Sequence, residues 1–380
     1  MKLKKVVSLA LVATMAMTSL AGCGDKATSG SDSDTFLIGG MGPLTGDAAS
    51  YGTSVKQGAE IAIKEINDAG GVKIGDKTVK MELKFEDDEA DEQKAINAYN
   101  NLADAKVNAI LGAVTSGACI AVVDKSYKDN ILQITPSGSA LECTKNANNF
   151  RLCFTDPLQG ETMAKYAVET LGYKKIAVIF NNSDEYSTGM KDAFVAKVKE
   201  LGGEVVCEEA FAKDDVDFNT QLTKINDSEA ECIFIPTYYK EAALIAKQAS
   251  EKGMKLPYLG GDGWDGIIAQ VSDTSIIEGA IFLSPFLSTN PDEKCQSFVK
   301  AYEEAYKATP DQFAADGYDT VYVMKAAAEK AGSMDSDKLI AAMTEIEVDG
   351  LTGKMTFTAD GEPNKDANYV EIKNGEYTAK

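Results

Sequence analysis

From Phe36 onward, short apolar runs alternate with stretches whose apolar residues recur at helical spacing, and few folds accept that pattern over so long a chain. Several runs are apolar on both faces, as strands are in a parallel sheet covered by helices on each side. Strands are expected at 36–40, 79–85, 107–111, 131–135, 176–180, 204–207, 232–235, 258–260 and 280–283. Between them, Val55, Ala59, Ala62, Ile63 and Ile66 share one helical face until Gly70-Gly71 stops it. Further helices are expected at 92–105, 117–129, 159–171, 188–201, 217–226, 239–252, 293–307, 313–331 and 336–346. Regular alternation of this kind implies an α/β architecture with right-handed crossovers. The cycle restarts around Pro157, so the reading is two doubly wound parallel-sheet lobes with a crossing near 154–157.

The first residues follow a different logic. Lys2, Lys4 and Lys5 precede an apolar run at 6–20 that is too short to span a bilayer comfortably. It ends in Leu20-Ala21-Gly22-Cys23, which resembles a bacterial lipobox in which the Cys23 thiol is acylated. The plain alternative is an ordinary signal peptide with an incidental cysteine. Residues 1–22 then form the signal peptide, and 23–34, rich in Gly, Ser, Thr and Asp, a flexible tether. No other stretch has the length and apolarity of a spanning helix, so attachment by lipid alone is expected, on the outer face of the cytoplasmic membrane.

The formal charge of −21 is dispersed among lysines, which solubility suffices to explain. Such a surface repels nucleic acid and anionic headgroups, so neither is an expected partner. Histidine is absent, and Arg151 is the sole arginine. No Ser-His-Asp or Cys-His couple and no imidazole metal site can therefore exist. No nucleophile elbow or P-loop is present either. The expectation is a binding protein without enzyme activity, metal or cofactor. Cys143 and Cys153 bracket a short polar loop; an exported protein could join them in a disulfide or keep them as separate thiols. Cys207 and Cys232 fall in strand-like runs and read as small buried hydrophobes. The acidic runs at 86–89 and 214–217 lack EF-hand spacing and read as solvated loops.

In open α/β sheets, ligands bind beyond the carboxyl ends of the strands. At those ends stand 41–46, 113–117, 136–139, 181–186, 236–239 and 261–266, rich in glycine, hydroxyls, amides and aromatics. That vocabulary suits holding a small polar molecule. A desolvated α-amino acid needs donors for its carboxylate, which helix N-termini and adjacent hydroxyls supply without an arginine. Ser116 and Ser139 stand where strand gives way to helix. Its ammonium needs an acceptor carrying a full charge, and Asp262, flanked by Gly261 and Gly263, is the candidate. Tyr51, Tyr186, Tyr238 and Phe313 lie beside these loops and would wall off the ligand's side chain. Each residue also has a plain reading: an N-cap for the serines, a turn for Gly-Asp-Gly, core packing for the rings. Their joint occurrence at successive strand ends favours a site.

The run Gly42-Pro43-Leu44-Thr45-Gly46, followed by Tyr51-Gly52, Gly58-Ala59 and Ile66-Asn67-Asp68-Ala69-Gly70-Gly71, resembles the branched-chain amino-acid-binding family. These are receptors of ATP-driven (ABC) importers with the type I periplasmic-binding fold, and the resemblance covers Phe36 to the C-terminus. It implies three hinge crossings, near 154–157, 283–286 and 356–360. The lobes would then be 35–155 plus 286–357 and 156–285 plus 358–380. Carried over position by position, Ser116 and Ser139 match the hydroxyls that bind the ligand carboxylate, and Ser137 the residue whose backbone carbonyl meets the ammonium. Asp262 matches the acidic ammonium partner, Tyr51 the pocket tyrosine of the first loop, and Tyr186, Tyr238 and Phe313 the ligand-facing aromatics. Family members can carry glutamate at Asp262, threonine at Ser139 and alanine at Ser137; a cystine some possess is replaced by Ala90 and Thr115. The implied function is a monomeric importer receptor for leucine, isoleucine or valine, partnered by permease and ATPase subunits. Alternatives within the same resemblance are a sensor module presenting the ligand to a chemoreceptor, and a receptor for another small solute such as an amide or an aromatic acid.

Overall fold

The first sheet begins with β1 (Thr35–Gly42), from which the chain turns into α1 (Ala49–Asp68), the hairpin strands β2 (Val72–Ile74) and β3 (Lys77–Asp87), and α2 (Glu92–Asp104). It continues through β4 (Ala109–Leu111), α3 (Ser116–Lys128), β5 (Leu132–Thr135) and β6 (Asn149–Arg151). The strand order is β2-β3-β1-β4-β5-β6, parallel except for the β2–β3 pair. The computed structural model describes residues 35–365 and 367–380, so the signal peptide, Cys23 and the tether expected at 1–34 lie outside the described residues.

A second sheet follows. It is built from α4 (Asp156–Lys165), β7 (Lys175–Asn181), α5 (Glu185–Glu200), β8 (Glu204–Phe211), α6 (Asn219–Asn226), β9 (Cys232–Ile235), α7 (Tyr239–Glu251), β10 (Tyr258–Gly260) and β11 (Ile281–Ser284). Next come α8 (Glu293–Tyr306), α9 (Gln312–Ala331), α10 (Ser336–Met343) and the small hairpin β12 (Val348–Gly350) and β13 (Gly353–Met355). These pack back on the first sheet and its helices, with α9 against α1, β2 and β4. The chain closes with β14 (Asn368–Lys373) and β15 (Glu376–Ala379), which extend the second sheet to the order β15-β14-β11-β10-β9-β7-β8. Both are antiparallel additions to an otherwise parallel sheet. Strands buried on both faces, such as Cys232–Ile235, were legible as apolar runs. The edge strands β14 and β15 alternate polar and apolar residues and were missed, as were β2, β6, β12 and β13.

One contact sets the geometry of the site. A Cβ on Gly58 of α1 would lie 1.8 Å from the Ala314 carbonyl oxygen of α9, and one on Gly317 would lie 2.2 Å from the Val55 carbonyl oxygen. Two glycines therefore let these helices touch backbone to backbone, bringing the rings at their N-termini together.

One open choice is resolved and two expectations need correction. Of the two states open to Cys143 and Cys153, the structure has separate thiols, with Cys143 buried thiol to thiol against Cys119. The 86–89 run is not simply solvated. Asp87 accepts from the Leu44 and Glu89 amides and the Thr45 hydroxyl, pinning the loop that leads to Tyr51. Asp88 is buried, accepts from the Ala90 amide at 2.9 Å, and has its carboxyl pushed up to about 7 by that burial. The third crossing also lies later than 356–360. The Arg151 amide donates to the Gly361 carbonyl at 3.0 Å, and Lys365 is buried beside Asp316, Asp319 and Thr352, so the chain reaches the second sheet only at β14.

Candidate functional site

Apart from α9, whose first turn carries Phe313, every element that feeds the site does so from the carboxyl end of a strand. The β1–α1 loop delivers Tyr51, the end of β4 delivers Val114 and Thr115, and the end of β5 delivers Ser137 and Ser139. From the second sheet, β7 leads to Tyr186 on α5, β9 to Tyr238 just before α7, and β10 to Asp262 and Gly263. A small cavity of about 10 Å³ remains between these two sets of loops, walled by Tyr51, Val114, Thr115, Ser137, Tyr186, Tyr238, Asp262, Gly263 and Phe313. Helix α5 starts where it does because Asp184 caps it, accepting from the Tyr186 amide, and this aims Tyr186 inward.

The rings form one connected wall. Tyr186 and Tyr238 stack with centroids 4.9 Å apart and planes 15° from parallel. Tyr51 meets Tyr238 edge-on at 5.6 Å and Phe313 at 4.1 Å. The Tyr51 hydroxyl donates to the Gly263 carbonyl and accepts from the Tyr239 amide at 3.1 Å, so a first-sheet residue is bonded to two loops of the second.

Asp262 is held from every side. Its Oδ1 accepts from the Tyr186 hydroxyl at 2.9 Å, and that hydroxyl in turn accepts from the Gly263 amide at 2.9 Å. Its own amide donates to Gln159 Oε1 and its carbonyl accepts from Gln312 Nε2. Burial pushes its carboxyl up to about 6, with the Tyr186 bond pulling the other way. None of the lining side chains is cationic. A buried carboxylate wants a positive partner, and here only a ligand can provide one.

The serines divide. Ser137 lies on the wall, its hydroxyl spent on the Val114 carbonyl at 2.7 Å. Ser116 and Ser139 sit one layer behind. The Ser116 oxygen accepts from the amides of Ser139 and Ala140, both at 3.2 Å. Ser139 Oγ is buried beside the Asp156 carboxyl, which burial pushes well above the usual carboxylate range while the Ser139 hydroxyl pulls it back down. Thr115 Oγ1, on the wall itself, is buried and unpartnered. An unpaired buried hydroxyl is rare, and one on the wall of a cleft marks a place built for a polar molecule. Val114, Thr115, Gln159 and Gln312 belong to the site without being candidates on sequence alone. Thr115 was within reach, because it stands in the same strand-end run as Ser116.

Among the described residues, no group of three or more Cys, Asp or Glu side chains is arranged to hold a metal ion. The wall offers acceptors, hydroxyls and aromatic faces, an equipment for binding. The periplasmic binding protein family model matches residues 35–376. The chain belongs to that family. A Leu/Ile/Val-binding protein of Rhizobium johnstonii is 30% identical over 363 residues, covering 94% of each chain. A leucine-, isoleucine-, valine-, threonine- and alanine-binding protein of Pseudomonas aeruginosa is 28% identical, covering 90% of this chain and 93% of its own. Among solved structures, the branched-chain amino acid transporter substrate-binding protein of Streptococcus pneumoniae in complex with isoleucine superposes with a TM-score of 0.84 at 32% identity, covering 91% of this chain and 98% of its own. The α/β fold with its two largely parallel sheets is that of type I periplasmic binding proteins. Members of the family are substrate-binding proteins of transporters, not enzymes. Periplasmic binding proteins are exported, and among the described residues no helix is long and apolar enough to cross a membrane.

Proposed function

We propose that this periplasmic binding protein is the receptor of an ABC importer and takes a free branched-chain α-amino acid, leucine, isoleucine or valine, between its two sheets. The observation that carries the reading is Asp262. It is a buried carboxylate tethered by Tyr186 and set beside an aromatic wall with no cationic side chain on it. The ligand's ammonium meets Asp262 and the Ser137 backbone, its carboxylate faces the Ser116–Ser139 corner, and its aliphatic chain packs on Tyr51, Tyr238 and Phe313. The matches to the Leu/Ile/Val-binding relatives support the same ligand class.

The two sheets with their helices act as lobes of about 35–155 plus 286–365 and 156–285 plus 367–380. The chain segments between them, near 154–157 and 283–286 and beyond Lys365, serve as hinges. Ligand favours the closed arrangement through contacts that exist only when both lobes touch it. Acylation at Cys23 anchors the mature protein, a monomer, outside the cytoplasmic membrane, where it delivers its ligand to permease and ATPase subunits. Isothermal calorimetry with the twenty common amino acids tests the ligand. Burying an aliphatic side chain contributes roughly 1.5–3 kcal/mol, so leucine binds about ten- to a hundredfold more tightly than glycine. Equal heats for the two, or none for leucine, would end the aliphatic assignment.

A further inference from the structure

The sole arginine does not line the cleft, yet it is the best-connected side chain near it. Arg151 ends β6 and is completely buried, at 0% exposure. Its Nη1 donates to the Gly138 carbonyl at 3.0 Å, and its Nη2 to the Leu141 carbonyl at 3.3 Å and the Thr144 hydroxyl at 3.0 Å. Its Nε pairs with Glu362, whose side chain is 30% exposed and which also accepts from Thr144 at 2.7 Å. The counter-ion is thus partly in water while the guanidinium is not. The positive charge is therefore better screened on its Glu362 side than on the side facing the 138–141 loop.

The Gly138 carbonyl and the Ser139 amide belong to one peptide group. A charge-assisted bond to the carbonyl polarises that group and strengthens its N–H as a donor. The Ser139 amide donates to Ser116 Oγ, and the Ala140 amide to the same oxygen. With both acceptor positions taken, the Ser116 hydroxyl keeps its own proton to donate. A continuous chain of polarised bonds thus runs from the guanidinium through the Gly138–Ser139 peptide to the Ser116 hydroxyl.

We infer that Arg151 is a positioning residue for the carboxylate end of the ligand: it supplies the field that the carboxylate feels, relayed through the Gly138–Ser139 peptide and Ser116, while staying out of contact with it. This rests on the assignment of the Ser116 corner to the carboxylate. It also resolves how a site for a zwitterion manages without an arginine on its wall. The cation is present, one layer back, where it cannot pair with Asp262.

A double-mutant cycle tests it. Leucine is titrated calorimetrically into the wild type, Arg151→Met, Ser116→Ala and the double variant, with melting temperatures recorded without ligand. The relay predicts that Arg151→Met weakens leucine by about ten- to thirtyfold, and that in the Ser116→Ala background the same change weakens it less than twofold further. Purely structural support for the loop would make the two losses additive, and wild-type affinity in Arg151→Met would also overturn the inference. No heat for leucine in the wild type, or none lost in Ser116→Ala, would instead sink the ligand assignment underneath. Should Arg151→Met fail to fold, Glu362→Gln decides. It keeps an acceptor for Nε and removes the opposing charge, so leucine binds two- to threefold more tightly than to the wild type and the gain disappears in the Ser116→Ala background. Unchanged or weaker binding, or a gain that survives without Ser116, counts against the relay.

Discussion

Asp262 combines two demands that conflict in the absence of a cation, being buried and being charged. Burial raises its carboxyl to about 6, while the Tyr186 hydroxyl favours the ionised form. An ammonium ligand binds the carboxylate, so below about pH 6 it competes with a proton. Leucine affinity therefore falls as the pH drops from 7 to 5, approaching about tenfold per unit at the acid end. Asp262→Asn flattens that profile, and Asp262→Ala leaves the fold intact but nearly abolishes binding. A convenient readout is Trp264, the only tryptophan, fully buried two residues from Asp262 with its indole N–H donating to the Ile235 carbonyl at 2.8 Å. A flat titration of the wild type across that range, or near-normal affinity in Asp262→Ala, shows that another group takes the ammonium. Asp262 was legible from Gly261 and Gly263 around it at a strand end. The bonds from Tyr186, Gln159 and Gln312 were not, because they join residues 50 to 103 positions apart.

At the scale of elements, the crossing of α1 and α9 decides whether Tyr51 and Phe313 meet. Gly58→Ala would place a methyl group 1.8 Å from the Ala314 carbonyl oxygen, and the helices must separate to admit it. A destabilisation of about 3 kcal/mol follows, read as a lowered thermal midpoint. Leucine binding weakens as well, since the ring pair now 4.1 Å apart is displaced. Gly172→Ala is the control: no atom lies within 4 Å of its added Cβ, although its φ of +78° carries a backbone penalty of roughly 1 kcal/mol. Equal loss of leucine affinity in both variants would show that the crossing does not set the site. Helical spacing marked α1 and α9 separately. Nothing in either segment announced that they would touch at their glycines.

Across the whole molecule, the two sheets are bridged by buried acid. Asp265, after β10, accepts from the Gln312 amide at 2.9 Å, next to Asp311, which caps α9. Burial, then the neighbouring Asp311 carboxylate, pushes Asp265 up to about 8, and burial pushes Asp311 up to about 6. Burial likewise lifts Asp184 and Glu241 to about 7. An unfolded chain releases these protons near pH 4, so between about pH 4 and 8 the folded protein holds more protons than the unfolded one. The stability linked to these groups is therefore greatest at the acid end of that window and is lost as the pH rises. The thermal midpoint falls between pH 5 and 8, and Asp265→Asn, which keeps an acceptor for Gln312, reduces the slope. An unchanged slope in that variant would show that Asp265 does not hold its proton.

The alternation of strand and helix, the sites that follow strand ends and the residue types gathered there can all be read along the chain. Each of these is written in short-range periodicity and local chemistry. The tertiary structure alone decided the antiparallel edges of the sheets and the late return of the chain after Lys365. It alone decided that Cys143 and Cys153 stay separate thiols, and that Arg151 lies behind Ser139 instead of on the wall. Those outcomes depend on which distant segments share a boundary. Periodicity carries no information about that, because the energy that selects it resides in packing between residues far apart in the chain.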